Sequence, residues 1–416
     1  MLKTFKCGMR SGTAVIPASK SAAHRQLICA ALSKKPCNIV CGGMSEDISA
    51  TIRCLNALGA RISVSGEQIS VVPPVSITHE RKHLRVGESG STLRFLLPVV
   101  SAIGADAVFH MEGKLPSRPH GALTSELRRM GAGIVQDGEL MSCSGQLKSG
   151  TPTIPGDIPS QFISGLLFAL PLLEGDSTIH ITGKTESLAY ITMTEQAISA
   201  AGIRFEKTSD GYFIPGGQTY DAGNGSAVES DWSNAAFFLC MGAMSEKGIT
   251  VKGPDSGSAQ GDKAIIDILK AFGADVEVSG RTVNVKKSVL LPRTVDASGI
   301  PDLVPVISVL ATAAVGDTEI INAGRLRFKE SDRLKSTASL ICSLGGSAEE
   351  TEDGLIIHGT GSLAGGVVDA VNDHRIAMSA AVAASVCTGD VTVSGAECVA
   401  KSYPAFWTDA EALEVC

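Results

Sequence analysis

The chain has 416 residues, 44% hydrophobic but only 4% aromatic, which is material for two or three domains with aliphatic cores. A formal net charge of −7 excludes a nucleic-acid binder that works through an overall basic face, so an acidic ligand has to be met by cations gathered locally. There is no apolar run of membrane-span length and no apolar export stretch near the N-terminus, and 11 cysteines without paired spacing suit free thiols, so a cytoplasmic protein with no membrane and no nucleic-acid partner is expected.

Residues 1–17, MLKTFKCGMRSGTAVIP, carry strand-like segments with no repeat of their own. PASKSAAHRQLICAAL (17–32) follows and reads as a helix with Lys20, Ser21 and Arg25 in its first turn. Unpaired backbone N–H groups and the helix dipole favour an anion there. On its own, the stretch fits a solvated turn with two surface cations equally well. From this point the chain repeats. An apolar helix-like run, a turn and a short β-branched strand end six times in glycine, at Gly42, Gly113, Gly183, Gly253, Gly324 and Gly395, spaced by 70 or 71 residues. Between these lie helices that end in glycine and lead into two strands, as in CLNALGARISVSGEQISVVP and ILKAFGADVEVSGRTVNVK. Glycine suits the left-handed position after a helix.

Each unit of about 70 residues therefore reads as strand, helix, strands, helix, with one buried and one amphipathic helix. The sixth unit lacks its strand pair, and the N-terminal segment is the natural piece to complete it. The expectation is an α/β (α+β) protein of two similar three-unit domains. One spans 18–230, and the other is built from 1–17 and 231–416. Two chain crossovers make a hinge, which suggests closure over a ligand held in the cleft.

Several motifs carry chemistry. HERKH (79–83) matches the H-E-x-x-H metal pattern, but Pro73, Pro74 and the following strand leave no room for the helix it needs, so a solvated loop is expected and no metal. LRVGESGSTLRFLLP, from Leu84, reads as strand, glycine turn and helix start. Such a turn offers a nest of N–H groups to phosphate or carboxylate, or is simply tight. It is neither a nucleotide P-loop nor a nucleophile elbow. SRPH places Arg118 beside a proline-stiffened turn, and GIPDLVPV puts Asp302 at the start of an apolar helix. RLRFKESDRLKS (325–336) alternates charge through Lys329, Glu330, Asp332 and Arg333, as a salt-bridged surface also would. In NDHRIAMSAAVAA, Asn372 and Asp373 cap a buried-looking helix whose first turn holds His374 and Arg375, an expensive place for a cation without an anion. AKSYPAFW adds Lys401. If like ends of the units pack together, these cations converge, with one or two carboxylates available for proton transfer.

PASKSAAHR, GESGSTLRF, LPSRP, IPSQFISGLLFALP, GIPDLVPV, KESDRL, NDHRIAM and AKSYPAFW, in this order and at these spacings, resemble the 5-enolpyruvylshikimate-3-phosphate synthases over essentially the whole chain. The resemblance implies two domains of three βαβαββ units, an inside-out α/β barrel each. It also implies transfer of the enolpyruvyl group of phosphoenolpyruvate to the 5-hydroxyl of shikimate 3-phosphate, with no metal or organic cofactor. Carried over residue by residue, Lys20 would touch both substrates and take part in catalysis. Ser21, Arg25, Ser160, Gln161, Ser187, Asp302 and Lys329 would hold shikimate 3-phosphate, with Tyr190 packed nearby. Gly90, Arg118, Gln161, Arg333, Arg375 and Lys401 would hold phosphoenolpyruvate. Asp302 would take the proton of the attacking hydroxyl, and Glu330, assisted by Lys329, would protonate the methylene carbon. The partners implied are these two small molecules, and the expected state is a monomer.

Three departures stand out. Glu88-Ser89-Gly90-Ser91 replaces the family's Asn-Ala-Gly-Thr, Pro159-Ser160-Gln161 replaces Ser-Ser-Gln, and Arg325 stands where many members have asparagine. A transferase acting on UDP-N-acetylglucosamine is the nearest rival, but its usual loop cysteine has no counterpart in EGKLPSRPH. A non-catalytic anion-binding module would not need Asp302 and Glu330 together.

Overall fold

In a computed structural model, which describes residues 1–75 and 80–416, the chain forms two compact units. The central unit is Ala18–Val228, and the split unit joins Met1–Pro17 to Glu229–Cys416. His79 of the H-E-x-x-H match lies outside the described residues. His83 lies in a strand, Lys82–Gly87, where its Nδ1 is 2.9 Å from Nε2 of His110.

Among its described residues the central unit contains six α-helices: α1 (Lys20–Leu32), α2 (Glu46–Ala57), α3 (Gly90–Ala102), α4 (Gly121–Arg129), α5 (Gln161–Ala169) and α6 (Leu188–Ala200). Residues 82–144 show the repeat in full: strand Lys82–Gly87, α3, strand Ala107–Met111, α4, then strands Gly133–Asp137 and Leu140–Ser144. Each such unit makes a four-stranded sheet with one parallel pair and two antiparallel ones. The parallel partner of Cys37–Val40 is Ser226–Ala227. Helices α3 and α5 are buried except at Ser91 and Gln161. Their all-round apolar sequences admit no solvated face, so they pass through the core while the sheets present their outer faces to water.

The split unit repeats the plan with α7 (Trp232–Ala243), α8 (Ile265–Phe272), α9 (Val304–Thr312), α10 (Arg333–Ser343), α11 (His374–Ala383) and the short α12 (Phe406–Glu411). Every residue of α7, α9 and α11 is buried. The N-terminal segment supplies two strands to two different sheets. Leu2–Phe5 pairs antiparallel with Val391–Ser394 in the sixth unit, and Arg10–Val15 pairs parallel with Ile249–Lys252 in the fourth.

The glycines that follow the outer helices, Gly59, Gly131, Gly202, Gly273 and Gly345, all have left-handed φ between +80° and +106°. A side chain at any of them would be strained, so each stops its helix and turns the chain into the strand pair.

The crossing of α3 and α5 sets one edge of the site. Pro98 inside α3 removes the N–H that would meet the Arg94 carbonyl, and Gly165 of α5 packs onto that carbonyl. A Cβ at Gly165 would lie 2.3 Å from the Arg94 oxygen and 3.0 Å from Pro98 Cγ. Gly165→Ala is therefore expected to push the helices apart and cost about 1–3 kcal/mol of stability. A shift of the urea midpoint to lower concentration checks this; an unchanged midpoint would mean that the close approach carries no weight.

Candidate active site

In the central unit the polar residues gather at the N-terminal ends of α1, α3 and α5. Ser19 caps α1, its hydroxyl accepting from Ala22 N at 3.4 Å. Lys20, the first helical residue, reaches Asp47 Oδ2 at 2.8 Å in α2, both side chains being 15% exposed. Arg25, one turn on, is buried rather than presented at the surface. Its Nε donates to Thr194 Oγ1 at 2.8 Å, Nη1 to the Ser21 carbonyl at 2.6 Å and Nη2 to the Tyr190 carbonyl at 2.8 Å. These partners are all neutral. Burial without a carboxylate pushes the guanidinium down to about 10, so an arriving anion would find it under-compensated.

At the start of α3, Ser89 accepts from Thr92 N at 3.3 Å and leaves Gly90 as the first helical residue. A Cβ on Gly90 would sit 3.0 Å from Arg118 Nη1 and 3.4 Å from Arg94 Nη1, so glycine lets two guanidinium groups close over the turn. Arg118 follows the 3-10 turn Leu115–Ser117 and is 9% exposed. His120 is held neutral beside it: burial, with the Arg94 charge adding, lowers it to about 4, and its Nε2 donates to the Leu115 carbonyl at 3.0 Å. Gln161, the one position of α5 that is not fully buried, accepts from Arg94 Nη1 at 2.7 Å and donates to Ser91 Oγ at 2.8 Å. Ser160 and Ser187 occupy the N-cap positions of α5 and α6, yet neither side chain caps its helix; Ser187 takes a left-handed φ of +52°.

In the split unit the corresponding end holds an ion-pair network. Arg333, 1% exposed, is the first residue of α10. Its Nε donates to Asp373 Oδ2 at 2.8 Å, Nη1 to Asp302 Oδ1 at 2.7 Å and Nη2 to Glu330 Oε2 at 2.5 Å. KESDR is thus no salt-bridged surface at Arg333, although Arg327 does make such surface pairs with Asp332 and Glu350. Burial alone would lower the Arg333 guanidinium, but Asp373, Glu330 and Asp302 outweigh it and raise it well above its ordinary value. Asp373 also caps α11 through Arg375 N at 3.0 Å and accepts from Ser331 Oγ at 3.0 Å. The cation in the first turn of α11 finds its anion in Asp302: Arg375 Nη2 lies 3.2 Å from Oδ2. Lys329 Nζ stands 3.5 Å from Asp302 Oδ1. Burial pushes that ammonium down to about 8, the Asp302 charge opposing and Arg333 adding. Lys401 ends the 3-10 helix Ala396–Lys401, and its Nζ donates to the Asn372 carbonyl at 2.8 Å.

Each unit therefore brings its expected residues to one end of its buried helices. Sequence reasoning missed Asp47, Arg94 and Asp262. The first two sit inside quoted or neighbouring motifs and carry the right charge. Asp262 has no motif signal: it is buried, accepts a hydrogen bond from Ser233 at the start of α7, and is raised by burial and then by the Asp302 charge.

The family model EPSP synthase (3-phosphoshikimate 1-carboxyvinyltransferase) matches residues 8–409. Proteins of that transferase name from Clostridium kluyveri and Clostridium acetobutylicum are 43% and 42% identical, each alignment covering 97% of this chain and 95% of the relative. A solved EPSP synthase from Acinetobacter baumannii superposes with a TM-score of 0.80 at 27% identity, over 100% of this chain and 98% of that one. The enolpyruvyl transferase NikO from Streptomyces tendae shares the fold at the same TM-score and 17% identity, covering 100% of this chain and 98% of that one.

Removing the charge of Arg333 leaves the buried carboxylate of Asp373 without its cation, whereas Arg327, 30% exposed, pairs at the surface. Arg333→Met is expected to cost about 3–5 kcal/mol. Arg327→Met is expected to cost about 0–1 kcal/mol. Urea unfolding of the two variants side by side checks the contrast, and equal losses would contradict it.

Proposed function

We propose, because this chain belongs to the EPSP synthase (3-phosphoshikimate 1-carboxyvinyltransferase) family, a role for each residue of its two clusters in a single reaction. The chain is a transferase: it moves the enolpyruvyl group of phosphoenolpyruvate to the 5-hydroxyl of shikimate 3-phosphate and releases phosphate. One observation carries the assignment of roles. Asp302 and Glu330, separate in sequence, hydrogen-bond the same buried guanidinium of Arg333 at 2.7 and 2.5 Å, and Lys329 lies against Asp302.

In this reading Asp302 takes the proton as the 5-hydroxyl oxygen bonds to C2 of the enolpyruvyl group, and Glu330 delivers a proton to C3, turning the methylene into a methyl. Loss of phosphate from C2 and of a proton from that methyl restores the double bond. Lys20, Ser21, Arg25, Ser160, Gln161, Ser187 and Lys329 hold shikimate 3-phosphate, with Tyr190 beside it. Lys20, Gly90, Arg118, Gln161, Arg333, Arg375 and Lys401 hold phosphoenolpyruvate. The ion pairs of the split unit support a switch in proton affinity. A substrate phosphate or carboxylate that engages Arg333 and Arg375 weakens their hold on Asp302 and Glu330, and a carboxylate that loses a cation binds a proton more readily. Planar guanidinium groups suit the oxyanions of phosphoenolpyruvate, and the ammonium of Lys329 acts as a point charge. The reading takes the enzyme as a monomer. No described helix is long and apolar enough to cross a membrane, and the reading places the enzyme in the cytoplasm.

Asp302→Asn is expected to lower turnover about 10²–10⁴-fold while shikimate 3-phosphate still binds. Phosphate release and equilibrium dialysis measure the two; near-normal turnover would sink the assignment, and turnover of UDP-N-acetylglucosamine would favour the rival substrate.

The pH profile tests Lys329. Burial disfavours its charged form, so the ammonium is present below about pH 8 and lost above it. The KM for shikimate 3-phosphate should rise as pH passes 8, and Lys329→Arg, which keeps its charge, should flatten that limb. A wild-type KM that stays level to pH 9.5 would remove Lys329 from the binding set.

A further inference from the structure

A run of buried side chains in the central unit includes none of the residues assigned to chemistry above, yet it joins two of the binding turns. His24 Nδ1 lies 2.7 Å from Thr51 Oγ1, Thr51 Oγ1 lies 2.7 Å from Thr92 Oγ1, and Thr92 Oγ1 lies 2.8 Å from Ser89 Oγ. All four residues are at most 1% exposed. His24 belongs to α1, one turn after Lys20 and next to Arg25. Thr51 belongs to α2, one turn after Asp47, the partner of Lys20. Ser89 and Thr92 flank the Gly90 turn of α3.

A buried hydroxyl on a helix ordinarily returns its proton to its own backbone one turn back, as Ser33, Ser101 and Ser308 do here. Thr51 and Thr92 instead bond across helices. A hydroxyl has one proton to give, so where each threonine spends its proton on the next link, the protons run in one direction along the line. Such a line couples its members, because breaking one link disturbs the donors and acceptors beyond it. His24 can serve only as a neutral ring: burial first, then the Lys20 and Arg25 charges, depress its proton affinity far below that of an exposed histidine.

We propose that His24, Thr51, Thr92 and Ser89 form a positioning relay that fixes the Lys20–Arg25 turn of α1 against the Gly90 turn of α3, so that the two turns meet their anions in register. The relay closes a loop of polar links whose other arc runs from Arg25 through Thr194 to Ser164 of α5, and from Gln161 of α5 back to Ser91 and Arg94 of α3. That second arc uses residues assigned to substrate; the relay uses none. The inference rests on the reading that Lys20, Arg25 and Gly90 hold substrate anions.

Steady-state kinetics on the full chain test it. Thr51→Val keeps the shape and removes the central hydroxyl. It is expected to raise the KM for phosphoenolpyruvate about tenfold, the weight of one buried hydrogen bond, with kcat within about twofold. Thr51→Ser should return the KM to near wild type, which a packing role would not predict. Because both changes break the same line, Thr51→Val/Thr92→Val should have a KM no higher than the worse single variant. A folded Thr51→Val with unchanged KM, equal losses in the Ser and Val variants, or KM factors that multiply in the double variant would each overturn the relay. Should Thr51→Val fail to fold, Thr92→Val against Thr92→Ser makes the same comparison one link along. Lys20→Ala separates the two layers of argument. If it leaves both KM values unchanged, the reading of the turns is wrong; if it raises them while Thr51→Val does not, only the relay is.

Discussion

The pair formed by Arg333 and Asp373, each at most 1% exposed, organises the reactive end of the split unit. Burying a charge pair away from water is costly, and replacing it by apolar packing often loses no stability. Its value here is geometric. Arg333 is planar and carries several donors, so holding one edge against Asp373 aims the remaining donors at Asp302 and Glu330. Asp373 in turn caps α11 and so sets where Arg375 begins. Three further charged residues, Asp302, Glu330 and Arg375, each from a different segment, are thereby referred to one rigid contact. A network this dense also gives up little mobility when ligands arrive, because its members are already ordered.

The two units solve the same problem with different chemistry. The split unit compensates its cations internally with Asp302, Glu330 and Asp373, so a ligand there has to compete for them. The central unit wraps Arg25 in hydroxyl and carbonyl groups and links its helices through serine, threonine, glutamine and one neutral histidine. Anions gain most where a buried guanidinium is met only by neutral dipoles, and carboxylates change protonation most readily where their cations can be drawn away.

What the sequence revealed follows from how local each signal is. The 70-residue repeat, the all-apolar inner helices and the glycine stops at Gly59 through Gly345 depend on residues within a few turns of one another, and all were legible. The Asp373 cap and the glycine turn before α3 were legible for the same reason. The links Arg333–Asp373, Asp302–Arg375 and Arg25–Tyr190 span tens to more than a hundred residues, and no local period encodes them. Charge alternation in RLRFKESDRLKS left both a surface and a site reading open, since it joins a surface cluster at Arg327 to a buried one at Arg333. The hydroxyls of Thr51 and Thr92 were invisible because threonine in an apolar helix is common and its bonding direction is decided by neighbouring helices.

The two strands of the N-terminal segment impose an order on how the molecule is made. Leu2–Phe5 leaves the ribosome before the central unit does, and its partner Val391–Ser394 only after it. The central unit has its core within Ala18–Val228 and can begin to fold while synthesis continues. The Leu2–Phe5 edge must wait, unpaired, until Val391–Ser394 has been made. Such a pairing is slow to close and leaves a β-strand open to wrong partners in the meantime. Its short length and its lysines, Lys3 and Lys6, one inside it and one just beyond, are the usual protection for an edge that has to wait.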